Sequence, residues 1–445
     1  MTTADTHRTE IHRTIDAVWR IESPRLVAGL MRIVRELGVA EDLAQDALVA
    51  ALEQWPKSGV PDNPGAWLMA ASKHRAIDYF RRNTRLERKH EELGRELAAK
   101  EMVVPDLNSA LDDDVGDDLL RLLFISCHPV LSKEAQVALT LRLLGGLTTE
   151  EIARAFLIPE ATIAQRIVRS KRALAEKHVP FEVPRGDQLA ARLSSVLEVI
   201  YLIFNEGYSA TTGDDWLRPA LCEEALRLGR VLAELSPQTP EVHGLVALME
   251  IQASRSRARV SPTGEPILLF DQNRAHWDQL LIRRGLSALE RAENLRTPKP
   301  ASKNQRLENV RPERGSYVAQ AEIAACHARA RTPEETDWSR IVTLYEELAR
   351  IAPSPVVELN RAVAVGMASG PAAGLAVVDE LTAERSLQNY HLLPSVRGDL
   401  LKKLSRFDEA RAEFERAASL TRNARERSLL LERARSCAAA SSQPQ

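Results

Sequence analysis

Several things are scarce in this chain. Aromatic residues make up only 4% of its 445 residues. Long β-branched runs are also missing, so it lacks the material from which strands are built. Its four cysteines, Cys127, Cys222, Cys326 and Cys437, stand far apart. They form no CxxC pair, and no His stands at zinc-finger spacing. That excludes a disulfide framework or a cysteine metal site and leaves buried thiols in a reduced, cytoplasmic protein as the expectation. No run reaches the roughly 18 apolar residues of a membrane span; even VLEVIYLIF at 196–204 is interrupted by Glu198. The start, MTTADTHRTE, is polar and has no apolar signal core, so no membrane association is expected. GxSxG, P-loop, HExxH and Rossmann patterns do not occur, so no enzyme activity, cofactor or metal is expected. An excess of one charge is lacking too. Sixty basic residues face 62 acidic ones, a formal net charge of −2. By itself that total argues against a generally cationic nucleic-acid binder.

What the chain does have is helix-forming material. Apolar residues make up 44% and charged residues 27%, and Ala, Leu, Glu and Arg recur in long unbroken stretches. This is an all-α composition, enough for about two to four domains. From 10 to 100 the period is helical: Leu26, Leu30, Ile33 and Leu37, then Leu43, Ala47, Ala51 and Trp55, recur every three or four residues. A Pro/Gly break, PKSGVPDNPG, separates this run from AWLMAASKHRAIDYFRRNTR. MVVPDLNSALDDDVGDD (102–118) follows, with six Asp and neither Lys nor Arg, and reads as an acidic linker over 101–118. Residues 119–178 are helical again, broken by GGLTT and then by LIPEAT. Pro184, Arg185 and Gly186 mark the next boundary.

From 187 to 445 the pattern is helical hairpins, apart from an irregular span at 257–279 and a loop at 296–315. The stretch 337–370 is a helix–turn–helix unit of 34 residues with Pro353 at its turn. The segment 371–406 nearly repeats it, and FDEARAEFERAASL opens a third unit. Residues 224–255 have the same outline around Pro237. Helix pairs at this period cannot bury both faces alone, so a tetratricopeptide-like solenoid is expected.

The most informative segment is TTEEIARAFLIPEATIAQRIVRSKRALAEK (148–177). Thr148 or Thr149 can cap a helix with Ile152 and Ala153 turned inward. After a turn at Leu157–Pro159, a second helix places Ile163, Ile167 and Leu174 on one face. Its other face carries Thr162, Gln165, Arg166, Arg169, Lys171 and Arg172. This is helix–turn–helix spacing, whose second helix enters the major groove. Gln and Arg suit bidentate contacts to adenine and guanine, while Arg169, Lys171 and Arg172 suit phosphate. Five basic residues against two acidic ones at 160–177 favour DNA over a merely solvated face.

In WLMAASKHRAIDYFRRNTRLERKH (67–90), Trp67, Ala70, Ala71, Ile77 and Phe80 form an expected buried stripe. Lys73, His74, Arg75, Arg81, Arg82, Arg85 and Arg88 form a cationic face. With the loop SGVPDNPG before it, the segment fits a single-strand site: the helix tracks the backbone while the loop holds an unstacked base.

Taken together, AEDLAQDALVAALEQW, the loop and PGAWLMAASKHRAIDYFRR resemble region 2 of an extracytoplasmic-function (ECF) sigma factor of the sigma-70 family. LSKEAQVALTLRLLGGLTTEEIARAFLIPEATIAQRIVRSKRAL resembles its region 4. The resemblance covers roughly residues 10–180, with both motif sets in the family's order around an acidic linker. The tail is similar to that of the subgroup with a C-terminal tetratricopeptide-like extension, and DQNRAHWD (271–278) resembles that subgroup's Asp–Arg–Trp signature. The resemblance implies region 2 at 10–100, the linker at 101–118, region 4 at 119–183 and a regulatory extension at 187–445.

It also implies roles. Glu41, Asp42, Gln45 and Asp46 would bind the β′ clamp helices of core RNA polymerase, and region 4 the β flap. Lys73, His74 and Asp78, with the loop 58–65, would take the flipped base of the −10 element, and Arg81 and Arg82 would grip phosphate. Thr162, Gln165, Arg166 and Arg169 would read the −35 element. His74 stands where many members have Asn, and Ala164 where Lys is frequent, so base preference and one backbone contact differ. In the extension, Asp271 and Asp278 are expected to pair with Arg274, with Trp277 a buried anchor. The extension itself, or another regulatory protein, is the expected regulatory partner. The alternative is a stand-alone helix–turn–helix regulator whose solenoid senses a ligand or protein; it leaves 41–90 without a role.

Overall fold

Local capping chemistry divides the chain into helices, and the computed structural model describes them over residues 3–93, 115–156, 158–185, 187–209, 212–213, 217–262, 264–296 and 314–441. The chain separates into two units, Met1–Ile200 and Tyr201–Gln445.

In the N-terminal unit, α1 (Thr3–Val34), α2 (Leu37–Ser58) and α3 (Pro64–Leu93) pack on one another. The expected apolar period is the core: Leu26, Leu30, Ile33, Leu37, Leu43, Ala47, Ala51 and Trp55 are all buried. On α3 the buried row differs from the expected one. Leu68, Ser72 and Ala76, four apart, face inward, whereas Ala70 is exposed and Trp67, Ala71, Ile77 and Phe80 are half-buried. Four-residue steps drift slowly around a helix and keep one row against the neighbour. Trp67 instead sits edge-on to Trp55, ring centres 5.4 Å apart.

Helix α4 (Val115–Ser126) begins inside the expected linker, so residues 115–118 are helical; 101–114 lie outside the described residues. Asp118 is buried and ion-paired to Arg32 and Arg121, which explains why the end of an acidic run joins a helix. Next come α5 (Lys133–Leu143), α6 (Thr149–Phe156) and α7 (Glu160–Glu176). Thr148 closes a capping box on α6. Its Oγ1 accepts from Glu151 N at 3.1 Å, and Glu151 Oε2 accepts from Thr148 N at 2.8 Å.

Helix α8 (Asp187–Tyr208) runs across the boundary between the units, and its first part up to Ile200 belongs to the N-terminal unit. There Arg192 donates to Phe124 O at 2.6 Å, Ser195 Oγ to Cys127 O at 3.3 Å, and Lys133 pairs with Glu198 at 2.6 Å.

The C-terminal unit continues with α9 (Pro219–Leu235), α10 (Pro240–Ala253), α11 (Gln279–Arg296), α12 (Ser316–Arg329) and α13 (Trp338–Ile351). It ends with α14 (Pro355–Ala368), α15 (Pro371–Leu381), α16 (Leu392–Lys403), α17 (Phe407–Leu420) and α18 (Ala424–Ser441). From α12 on, each helix packs on its sequence neighbour, as in a solenoid. Pro237 and Pro353 sit in the turns before α10 and α14. Ser354 caps α14 through Val356 N, with Pro355 at the first helical position. One cluster joins Leu359, Leu375, Leu400 and Phe414 across α14–α17. Truncating such a side chain costs roughly 2–5 kcal/mol. A Cβ on Gly374 would lie 2.7 Å from Gly366 Cα, so glycine sets the close approach of α14 and α15. Among the described residues, extended pairing is limited to a two-residue parallel ladder, Thr212–Gly213 with Arg422–Asn423, and one isolated bridge. No described helix is long and apolar enough to cross a membrane. All four cysteines are buried thiols; burial pushes Cys127 up to about 11 and Cys222 up to about 12.

Candidate nucleic-acid and polymerase interface

The two faces of α7 separate cleanly. Ile163, Ile167, Ser170 and Leu174 are buried, while Thr162, Gln165, Arg169 and Arg172 are exposed and Arg166 is half-buried. Thr162, Gln165 and Arg169 therefore share a surface ridge free to meet a groove. Arg172 pairs on the surface with Glu176 at 2.6 Å. An exposed pair of this kind is screened by solvent and weak, so phosphate can displace it. Lys171 lies elsewhere: it is half-buried and ion-paired to Glu41 of α2.

The −10 candidates lie along α3. Asn63 Oδ1 caps the helix by accepting from Ala66 N at 3.1 Å, which fixes how the loop 58–65 enters it. Gly59 has φ +83°, a conformation that glycine adopts without strain. His74 is exposed, its Nδ1 2.7 Å from Ala70 O. Lys73 is half-buried. Asp78 and Arg81 are exposed and 3.9 Å apart. The side chain of Arg82 lies outside the described residues, as do those of Arg85 and Arg88.

Of the polymerase-binding candidates, Asp42 and Asp46 are exposed on α2, Asp46 lying 3.9 Å from Arg75. Gln45 is half-buried and donates to Glu41 Oε1 at 3.0 Å. Glu41 is only 5% exposed. Its carboxylate accepts from Arg142 Nε at 2.8 Å and pairs with Lys171. Burial opposes its charge, but Lys171 and Arg142 outweigh that and hold the carboxyl below its ordinary value. A residue expected on the polymerase face and one expected on the −35 face are thus each other's partners. The sequence reading passed over Arg142. Its signal was a lone cation in the apolar run LTLRLL, where a buried charge needs a counter-charge.

The extension motif is a structural turn. Arg274 bonds to neither Asp271 nor Asp278, contrary to expectation. Its Nη1 donates to His327 O at 2.7 Å and Ala330 O at 2.5 Å, and its Nη2 to Thr336 Oγ1 at 3.2 Å. The carbonyls that end α12 have no partner within the helix and take up the guanidinium. Asp278 is already used: Oδ1 caps α11 by accepting from Leu280 N and Leu281 N. Asp271 is exposed at the end of a short turn. Trp277 is buried at 4% exposure, with the Arg274 guanidinium 4.9 Å above its ring. Beside it, His327 is driven down to about 3 by burial and by the charges of Arg255 and Arg274. A groove of about 1150 Å³ in this unit is lined by Phe270, Trp338 and Tyr345. Its Asp399 pairs with both Lys403 and Arg433.

A helix–turn–helix exposing polar and cationic side chains, together with a basic helix behind a capped loop, defines a DNA-binding transcription protein. Comparison with known proteins sharpens this. Sigma-70 region 2 matches residues 19–86, and sigma-70 region 4 matches 121–174. A family of unknown function, DUF6596, matches 192–293. An uncharacterized protein of Rhizobium meliloti (strain 1021) is 44% identical over 405 residues, 91% of either chain. The protein named probable ECF RNA polymerase sigma factor SigI, of Mycobacterium tuberculosis (strain ATCC 25618 / H37Rv), is 27% identical over 175 residues, 39% of this chain and 58% of that protein. The chain belongs to the ECF group of the sigma-70 family and carries a helical C-terminal extension. It is a sigma factor, a protein that binds core RNA polymerase and promoter DNA.

Proposed function

We propose that α7 reads the −35 element through Thr162, Gln165, Arg166 and Arg169, with Arg172 and Lys171 on phosphate. Helix α3 and the loop 58–65 take the flipped base of the −10 element with Lys73, His74 and Asp78, while Arg81 and Arg82 hold the backbone. Asp42, Gln45 and Asp46, with Glu41 once it is released, meet the β′ clamp helices, where an acidic patch suits a basic coiled coil. Region 4 meets the β flap. Residues 187–445 regulate promoter binding in cis, since tethering supplies a millimolar-scale effective concentration.

The observation that carries the reading is α7 itself: one face is sealed by Ile163, Ile167 and Leu174, and the other exposes Gln165 and Arg169. The test is a promoter selected from random DNA by holoenzyme made with the whole chain. Gln165→Ala and Arg169→Ala should each relax preference at one −35 position, and His74→Ala should relax one at −10. Variants that retain the full preference overturn the assignments. A chain cut after Ile200 should change transcript yield from that promoter; an unchanged yield removes the cis-regulatory role.

A further inference from the structure

The guanidinium of Arg255, just past the end of α10, forms no ion pair among the described residues. The residue is half-buried, and its Nε is buried without a hydrogen-bond partner. What the guanidinium meets is aromatic: its Cζ lies 5.8 Å from the ring centre of Tyr208 and 5.8 Å from that of Trp277. Arg274 shares the Trp277 ring at 4.9 Å, and its Nη groups are spent on neutral acceptors. Glu334 and Glu335 act on Arg274 without forming an ion pair with it. Ring faces offset only part of the cost of burying a cation, and two cations on one ring repel. This corner of the C-terminal unit therefore attracts an anion.

The groove of about 1150 Å³ begins beside it, with His327 and Tyr345 in its lining. The charge of Arg255 acts on both. Burial, then Arg255 and Arg274, hold His327 neutral, while Arg255 works against the burial that pushes Tyr345 up to about 12. Among the described residues no carboxylate acts on either group. His327 Nδ1 is itself buried and without a partner. Farther along, the charges of the lining are answered. Asp399 holds Lys403 and Arg433, Lys402 Nζ donates to Ser436 Oγ at 3.2 Å, and Asp271 and Glu432 are exposed to water. Trp338, Ile341, Val363 and Met367 supply an apolar floor. Residues 266–271 form one wall, a strap of irregular backbone whose Phe270 stacks on Trp338 at 5.7 Å between ring centres. Lys403 Nζ lies 5.6 Å from the Phe270 ring, and Glu265 ties the strap to Arg425 of α18 at 2.7 Å. Small-molecule sites have this make-up, largely apolar with a few convergent polar groups, at volumes up to about 1,000 Å³.

We infer that this groove binds a small organic anion, a carboxylate or phosphate carried on a flat aromatic body. The acid group lies against Arg255 beside His327, and the body lies on Trp338, Ile341 and Met367 under the strap. A guanidinium suits either acid, because its planar fork meets two oxygens at once. Neutral His327 keeps one ring N–H to donate. Aromatic walls favour a flat body, which stacks or meets them edge-on. The site lies wholly within the C-terminal unit, so it stands or falls apart from the −10 and −35 assignments and from any regulation of promoter binding by residues 187–445.

The test is calorimetric titration of the full chain with naphthaleneacetate, naphthyl phosphate and the neutral naphthalenemethanol. At least one of the two anions should bind about tenfold more tightly than the alcohol, and the tighter anion identifies the acid group. Arg255→Met, which keeps the stem and drops the charge, should weaken that anion about tenfold and leave the alcohol unchanged. Arg255→Lys should weaken it less than Arg255→Met does. Unchanged helicity and melting of both variants exclude unfolding. Amide hydrogen exchange on the unmodified chain gives a readout that needs no variant: the bound anion should slow exchange across 264–271 and the start of α13. Failure of both anions to bind at millimolar concentration overturns the site, as does an alcohol that binds as tightly as the acids. An anion affinity that Arg255→Met leaves alone, or protection confined to the N-terminal unit, overturns it as well.

Discussion

Replacing Arg274 by Ala should destabilise the C-terminal unit by about 3 kcal/mol. The side chain donates three hydrogen bonds, two to the carbonyls of His327 and Ala330 and one to Thr336. A charge-assisted bond contributes roughly 1.5–3 kcal/mol, but three on one half-buried group do not add fully, and water can reach part of the site. Its position 4.9 Å over the buried Trp277 ring adds about 1 kcal/mol. Arg274→Lys should recover less than half of the loss, because an ammonium has one nitrogen and cannot reach the two carbonyls and Thr336 Oγ1 from two points as Nη1 and Nη2 do. The assay is urea unfolding of the full chain, followed by tryptophan fluorescence and circular dichroism. With two units the transition need not be two-state, so the shift must appear in the phase reported by Trp277 and Trp338. A loss below about 0.5 kcal/mol, or full recovery with Lys, would refute the reasoning that this motif is a structural turn held by its arginine.

Three further outcomes are expected. His327 is held neutral, with its folded value far below the ordinary 6.5. The unfolded chain takes up that proton first, so stability falls as pH drops from about 6.5 toward 3, by up to about 1.4 kcal/mol per pH unit from this residue alone. His327→Gln should flatten that slope in pH-dependent denaturant titrations; an unchanged slope contradicts the burial argument. Arg172→Ala should weaken holoenzyme binding about equally on all −35 sequences and reduce the salt slope by about one, whereas Gln165→Ala should cost about 1–3 kcal/mol on one preferred base pair only; anisotropy titrations over a range of salt separate the two. A chain cut at Pro184 should be less stable than one cut at Ile200. The earlier cut removes the bonds of Arg192 to Phe124, Ser195 to Cys127 and Lys133 to Glu198. Equal melting of the two would remove any structural role for the start of α8.

Periodicity made most of the helices legible, because a helix buries every third or fourth residue and a sequence displays that interval directly. The core of α1 and α2 and the sealed face of α7 follow from it. Helix α3 did not, because an Ala-rich segment satisfies two neighbouring rows and only packing chooses between them. The end of the acidic run was misread for a related reason: Asp118 looks like linker until Arg32, far away in sequence, is placed beside it. The Arg274 partners were illegible because backbone carbonyls leave no trace in a sequence, whereas carboxylates do. Glu41 shows the same limit at the site. Its acidity was visible, but its burial depends on Arg142 and Lys171, over a hundred residues on.

The most direct measurement is run-off transcription with purified core polymerase on a promoter selected by this chain. Core alone should give no specific transcript. Core with the chain should give a defined one, which Gln165→Ala and Arg169→Ala weaken and whose yield changes when residues 201–445 are removed. Tight, sequence-specific binding to duplex DNA without polymerase, and no transcript with it, would contradict the account and leave a stand-alone helix–turn–helix regulator in its place.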